Sequence, residues 1–242
     1  MRGLTAAVVH LALGPVAPLR HGRVDVPSAI VKRPVESAAV GVLGLRGDEQ
    51  GDRRVHGGPE KAVFAYPTEH DDWWADQLGA PLPVAAFGQN FGTVGLVEDT
   101  VFLGDVYEVG EVVLQVSQPR RPCFKPGSRL GHREIAVLTQ NSGRTGFYFR
   151  VLRPGLVTAG SPVVLRERDP DPVSVHDVSR VMHGDTTHLH QVLASPRLPE
   201  RWRAALRARL AGIPDDETTR LHGPLHEPRE ETQNPCPRPA TS

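Results

Sequence analysis

The chain has 242 residues, 39% of them hydrophobic and 23% charged, and its 28 basic and 28 acidic side chains give a formal net charge of zero. That balance excludes broad electrostatic attachment to nucleic acid or to an anionic membrane, and the length suits one large domain or a medium domain with a small one. Two cysteines, Cys123 and Cys236, cannot build a disulfide framework, and with neither a secretory leader nor an apolar run of membrane-spanning length the expected location is the cytoplasm.

Taken in order, Ala6 to His10 predicts a first strand, followed by a polar stretch broken by Pro and Gly as far as Pro27. Ser28 to Lys32 and Val40 to Leu43 are short apolar runs bounded by turn residues. Residues 44–61 are loop-like, and the adjacent glycines Gly57 and Gly58 allow positive φ and close backbone approach to a ligand. Arg53, Arg54, His56 and Lys61 flank those glycines, although a plain tight turn explains the same spacing. Ala62 to Tyr66 reads as a buried strand. Thr68, with Asp71 three residues on, predicts the start of a helix that Gly79 ends, with Trp73, Trp74 and Leu78 as its packing face.

The second glycine-punctuated loop is Phe87 to Thr93. Strand signals then crowd together at Val101–Leu103, Val106–Val109 and Val112–Val116, with a hairpin between the last two. The run Gln118-Pro-Arg-Arg-Pro-Cys-Phe-Lys125 follows. Its two prolines fix φ on either side and remove backbone donors, so Cys123 is expected on a stiff loop at a strand end. A thiol beside fixed positive charge is shifted toward thiolate, and a thiolate is a nucleophile or a soft metal ligand. The competing reading is a small buried hydrophobe. Ile135 to Leu138 is compatible with helix or strand, Asn141 to Gly146 with a loop, and Phe147–Leu152 and Pro162–Leu165 with further strands. Many short strands joined by turns predict an antiparallel barrel or sandwich.

At Asp169 the pattern changes. Ser174 with Asp177 forms a capping pair, and helices are predicted after it, around Thr187–Ala194 and over Pro199–Leu210. The expected division is a β domain over 1–168, three helices over 173–212 and a disordered tail over 213–242. His183, His188 and His190 are read as solvated helix histidines.

Several loops fall in a recognisable order: Pro-Ser-Ala-Ile-Val-Lys of 27–32, Gly-Leu-Arg-Gly-Asp-Glu-Gln of 44–50, His-Gly-Gly-Pro-Glu-Lys-Ala-Val of 56–63, Tyr-Pro-Thr-Glu-His of 66–70, Phe-Gly-Gln-Asn of 87–90, Gln-Pro-Arg-Arg-Pro-Cys of 118–123 and Asn-Ser-Gly-Arg-Thr-Gly-Phe-Tyr of 141–148. Together they resemble the MOSC-domain family, named for the C-terminal part of molybdenum cofactor sulfurases, in its stand-alone bacterial branch linked to hydroxylaminopurine resistance. The resemblance covers residues 4–168, and the helical remainder is similar to that branch's three-helix extension. It implies a mainly β, MOSC-type β-barrel with few helices that binds a pterin–molybdenum cofactor.

By the same resemblance Cys123 matches the metal-ligand cysteine and His56 the loop histidine, as proton donor or cofactor contact. Lys32, Arg54, Lys61 and the Gly57-Gly58 backbone are candidates for holding the cofactor's phosphate, Arg120 borders the cofactor by holding the Cys123 thiolate form, and Asn90 matches the loop asparagine. The implied reaction reduces N-hydroxylated substrates, such as N-hydroxylated purine bases, to amines, with a redox partner as electron donor. Gln89 stands where relatives often carry glutamate. The alternative is a sulfur carrier or cofactor-delivery protein that uses Cys123 without reductive turnover. Pyridoxal phosphate is not expected, and the oligomeric state stays open, a homodimer among the options.

Overall fold

The structure is a computed structural model that describes residues 5–51, 57–213 and 217–224. Its thirteen strands are β1 (Ala7–Leu13), β2 (Ala17–His21), β3 (Val24–Ser28), β4 (Arg33–Val35), β5 (Ser37–Gly41), β6 (Gly44–Leu45), β7 (Val63–Pro67), β8 (Phe91–Val94), β9 (Val106–Val109), β10 (Val112–Pro119), β11 (Phe147–Arg153), β12 (Gly155–Thr158) and β13 (Val163–Glu167). Eight of them form one sheet in the order β13-β9-β10-β11-β7-β8-β1-β4, antiparallel throughout except for the parallel pair β7–β8.

The mainly β expectation holds, with one refinement. The sheet curls until its flanks meet at an isolated bridge, Ala7 to Pro162, supported by Val8 N donating to Ser161 O at 3.0 Å and Val163 N to Ala6 O at 2.7 Å. No continuous ladder joins β13 to β1, so the ring of pairing is not that of a closed barrel. The predicted β9–β10 hairpin is present, with Val109 opposite Val112 and Gly110 at φ +58° in its two-residue turn.

Helices interrupt the sheet at Asp71–Leu78, Lys125–Leu130 and Ile135–Ser142, and follow it at Val175–Met182, Leu189–Ala194 and Glu200–Leu210. Ser174 caps the first of the C-terminal three, its Oγ accepting from Asp177 N at 2.9 Å. These helices share the sheet's core. Val178, Val192, Trp202 and Leu206 belong to the same buried cluster as Leu103, Leu114 and Val116. Residues 217–222, expected in the disordered tail, form a further short helix.

Thr68 does not cap the helix after it. Its hydroxyl donates to Thr93 O at 2.9 Å, residues 68–70 make a 3-10 turn, and the α-helix begins at Asp71 without a side-chain cap. The hydroxyl ties the end of β7 to β8 in place of a helix amide. The helix instead buries Trp74, whose indole N–H donates to Tyr66 Oη at 2.6 Å, while Tyr66 stacks on Phe87 at 4.4 Å. That aromatic cluster is the floor on which the loop Phe87–Asn90 rests.

Candidate functional site

Five of the residues singled out from sequence, Lys32, Lys61, Asn90, Arg120 and Cys123, line one cavity of about 90 Å³. A second cavity, of about 420 Å³, lies toward the C-terminal helices, and Lys61, Cys123, Lys125 and Tyr148 are walls of both. Arg54 and His56 lie outside the described residues. Gly57 and Gly58 precede the 3-10 turn Pro59–Lys61, with Gly58 at φ +93°, and Lys61 N donates to Gly58 O at 3.0 Å.

Cys123 sits where the sequence places it. β10 ends at Pro119, residues 120–123 are irregular, and a helix starts at Lys125 with Pro126 in its first turn, where a missing N–H costs nothing. The thiol is a free cysteine, 9% exposed, and Arg120 donates from Nη2 toward its sulfur at 3.7 Å. Arg120 is itself buried, fixed by its own N–H to Gly146 O at 3.0 Å and by its guanidinium over the Phe64 ring at 5.2 Å.

Lys61 is held at the cavity edge by what anchors its turn. Ser117 Oγ and Gln118 Nε2 both donate to Glu60 O, at 2.6 and 3.1 Å, and Arg150 pairs with the Glu60 carboxylate at 2.5 Å. Its ammonium stands 5.8 Å from the Tyr148 ring centre. Burial, then the charges of Arg201, Arg120 and Arg121, push the Lys61 ammonium down to about 8.

Lys32 and Asn90 have commitments that sequence did not reveal. Lys32 Nζ is ion-paired to Asp48, and the two side chains are only 5% and 6% exposed. Asp48 also accepts from Gly14 N and from Asn90 Nδ2, each at 2.9 Å. Asn90 Oδ1 accepts from Phe64 N at 3.1 Å, so this amide clamps β7 to the 44–50 loop. Burial draws the Lys32 ammonium below its ordinary value, with Asp48 opposing that shift. Lys32 therefore reaches the cavity with its charge already offset. Gln89 turns its Oε1 to accept from Phe87 N at 3.1 Å and closes its own loop.

Sequence reasoning missed Asp48, Tyr148, Arg201 and Arg220, each of which lines at least one of these cavities, whereas Arg121 was read as part of the positive charge beside Cys123. Asp48 and Tyr148 lie inside quoted motifs. Arg201 gave no signal because an arginine on an amphipathic helix reads as solvated, and Arg220 fell in the stretch expected as a disordered tail. His183 departs from the solvated reading: both ring nitrogens are buried without a hydrogen-bond partner among the described residues, and burial with Arg220, Arg121 and Arg209 pushes its imidazole down to about 3.

The MOSC domain family profile matches residues 52–164. The chain belongs to the MOSC-domain family, a molybdenum-cofactor-associated family, in its YiiM-like branch. It is 40% identical over 205 residues to protein YiiM of Escherichia coli strain K12, covering 81% of this chain and 91% of that one. The crystal structure of YiiM from Geobacillus stearothermophilus superposes with a TM-score of 0.71 at 32% identity, covering 85% of this chain and 99% of that one. A protein named Reductase from Gibberella moniliformis is 36% identical over 183 residues, which are 72% of this chain but 32% of the longer protein.

The donor set fits the family's cofactor. Among the described residues no group of three or more His, Cys, Asp or Glu side chains is placed to hold a metal ion. What the cavity offers is one thiol, the cations Lys32, Lys61, Arg120 and Lys125, amides, and the carboxylates Asp48 and Glu49, of which Asp48 is paired with Lys32. A single soft donor suits a metal that arrives with its own sulfur ligands, and the cations suit an anionic organic carrier.

Proposed function

We propose that this protein is a molybdenum-cofactor-dependent reductase of N-hydroxylated compounds, N-hydroxylated purine bases among them. The observation that carries the reading is Cys123, a free thiol held on a proline-fixed loop at the wall common to both cavities, with Arg120 against its sulfur. Membership of a molybdenum-cofactor family and likeness to a protein named Reductase support it.

In this reading Cys123 is the protein's ligand to the metal. Arg120, Lys61 and the amide of Asn90 would border the cofactor. Bound there, the cofactor supplies the two-electron couple for N–O cleavage. The overall change is R–NHOH + 2 e⁻ + 2 H⁺ → R–NH₂ + H₂O, the electrons coming from a redox partner protein.

The chain's own residues do three things. The loop fixes the thiol, because Pro119 and Pro122 restrict its backbone and Arg120 is buried against Phe64 and bonded to Gly146 O. Lys61 holds a proton at Nζ that is present at neutral pH and acidic enough to be given up to a departing hydroxide. The aromatic floor of Phe64, Phe87 and Tyr148 limits water at the reacting end.

The test is reduction of 6-hydroxylaminopurine by protein purified from a cofactor-competent host and supplied with an electron donor. Wild type is expected to form adenine, Cys123→Ser to form none, and Lys61→Met to lose about 10²-fold in rate, the usual contribution of a positioned acid. Metal-loaded wild type that leaves the substrate unreduced would overturn the reading. A persulfide on Cys123 of metal-free protein would point to sulfur transfer instead.

A further inference from the structure

The chain has three tyrosines, and two of them spend their hydroxyl hydrogens inside the protein. Tyr66 Oη donates to Arg144 O and Tyr107 Oη to Asp105 Oδ2, each at 3.0 Å. Tyr148 differs. The side chain that hydrogen-bonds to its phenol is the guanidinium of Arg120, which has hydrogens to give and no lone pair to receive one. The phenol's own hydrogen is therefore left without an acceptor among the described residues.

Packing does not call for this hydroxyl. Tyr148 is 8% exposed, with its ring centre 5.2 Å from that of Phe64 and 5.8 Å from the Lys61 ammonium. A phenylalanine would make the same contacts, as Phe147 and Phe149 do on either side of it in β11. A buried hydroxyl whose hydrogen has no acceptor is a cost to the fold unless a ligand supplies one.

The phenol is also firmly placed. Tyr148 lies opposite Gln118 of β10 and Phe64 of β7, inside the sheet, and its carbonyl accepts from Ser117 Oγ at 3.0 Å. With Lys61, Cys123 and Lys125 it forms the wall shared by the two cavities, so the surface it keeps faces the place where they meet. Arg120 reaches the Cys123 sulfur, at 3.7 Å, and the Tyr148 phenol together. One buried guanidinium thus holds thiol and phenol toward the same point.

We infer that Tyr148 is a further catalytic residue, its phenol donating a hydrogen bond to the oxygen of the substrate's N–O group where the two cavities meet. This rests on the reductase reading and adds to it the group that receives the departing oxygen. As the N–O bond breaks, the two electrons delivered by the redox partner leave negative charge on that oxygen, and a fixed donor aimed at it stabilises the charge. Lys61 gives the oxygen its proton and the nitrogen takes the second from solvent. Tyr148 keeps its own, so the balance of the overall change is unaltered.

The test is Tyr148→Phe in the full chain, purified from a cofactor-competent host. Phenylalanine keeps the ring contacts, so molybdenum content should match wild type. Calorimetry without an electron donor compares 6-hydroxylaminopurine with adenine, which lacks the N–O oxygen. Wild type should prefer the former, and Tyr148→Phe should lose about three- to tenfold of that preference, the contribution of one neutral hydrogen bond. With reduced methyl viologen as donor, kcat should fall about 10²-fold and KM much less. Tyr107→Phe removes a phenol outside both cavities and should lower the urea midpoint without changing the preference. Equal preference in wild type and Tyr148→Phe, or none in wild type, would overturn the inference. So would loss of molybdenum from Tyr148→Phe, which would assign the phenol to the cofactor. A preference that falls in Tyr148→Phe while wild type reduces no N-hydroxylated compound would keep the hydrogen bond and refute the reaction. Wild-type reduction with an indifferent Tyr148→Phe would do the reverse.

Discussion

Arg220 donates from Nη1 to the carbonyl oxygen of Pro122 at 2.7 Å, one residue before the free thiol. Phe124, one residue after it, donates its amide to Arg220 O at 2.9 Å. The loop that carries Cys123 is thus pinned on both sides by a single residue of the short helix Glu217–His222.

Replacing Arg220 with Gln removes the bonds to Pro122 O and to Gln140 Oε1, the latter at 3.0 Å. The expected cost is about 1–3 kcal/mol, the range for losing charge-assisted bonds at a part-buried site. Hydrogen exchange at the Phe124 amide should accelerate while strands β7 and β11 keep their protection. An unchanged Phe124 amide would show that the helix does not hold the loop.

The Lys32–Asp48 pair gives a second expectation. Asp48→Asn leaves a buried ammonium without its counter-charge and should cost about 3–5 kcal/mol in urea unfolding. The double change Lys32→Met with Asp48→Leu removes both charges and should recover most of that loss. If the single and double variants are equally unstable, the charge pair is not what Asp48 provides, and its bonds to Gly14 and Asn90 matter more.

His183 contributes to the acid limb of stability. Its imidazole is held at about 3 in the folded chain, against the ordinary value of 6.5. Between those values the unfolded chain binds a proton that the folded chain does not, so stability rises with pH across the window and is lost on acidification toward pH 3. His183→Gln should flatten the pH dependence of urea midpoints in that interval. A variant with the wild-type slope would place the acid sensitivity elsewhere.

Local chemistry explains which parts of the molecule could be read in the sequence. The Gly110-Glu111 hairpin and the Ser174 cap depend on neighbours within four residues, and both formed as expected. The fate of Thr68 was decided by Thr93, 25 positions away, which no cap pattern includes. The helix Lys125–Leu130 was hidden by its own Pro126 and Gly127, which usually signal a turn. Here the proline occupies a first-turn position, and Gly127 is needed because a Cβ would meet His132 O at 2.7 Å.

The candidate site divides in the same way. Cys123 and Arg120 are three residues apart, so their pairing was open to sequence reasoning. Asp48 acquires its role by meeting Gly14, Lys32 and Asn90, at separations of 34, 16 and 42 residues. The arginines of the second cavity, Arg121, Arg201 and Arg220, come from the loop after β10, the helix Glu200–Leu210 and the helix Glu217–His222, a juxtaposition that only the folded chain makes.

X-ray absorption at the molybdenum edge tests the central claim most directly, because it reads the metal's ligands independently of turnover. Cofactor-loaded wild type should show one sulfur neighbour more than cofactor-loaded Cys123→Ser, in which a lighter oxygen takes its place. The same sulfur count in both proteins would mean that Cys123 does not reach the metal.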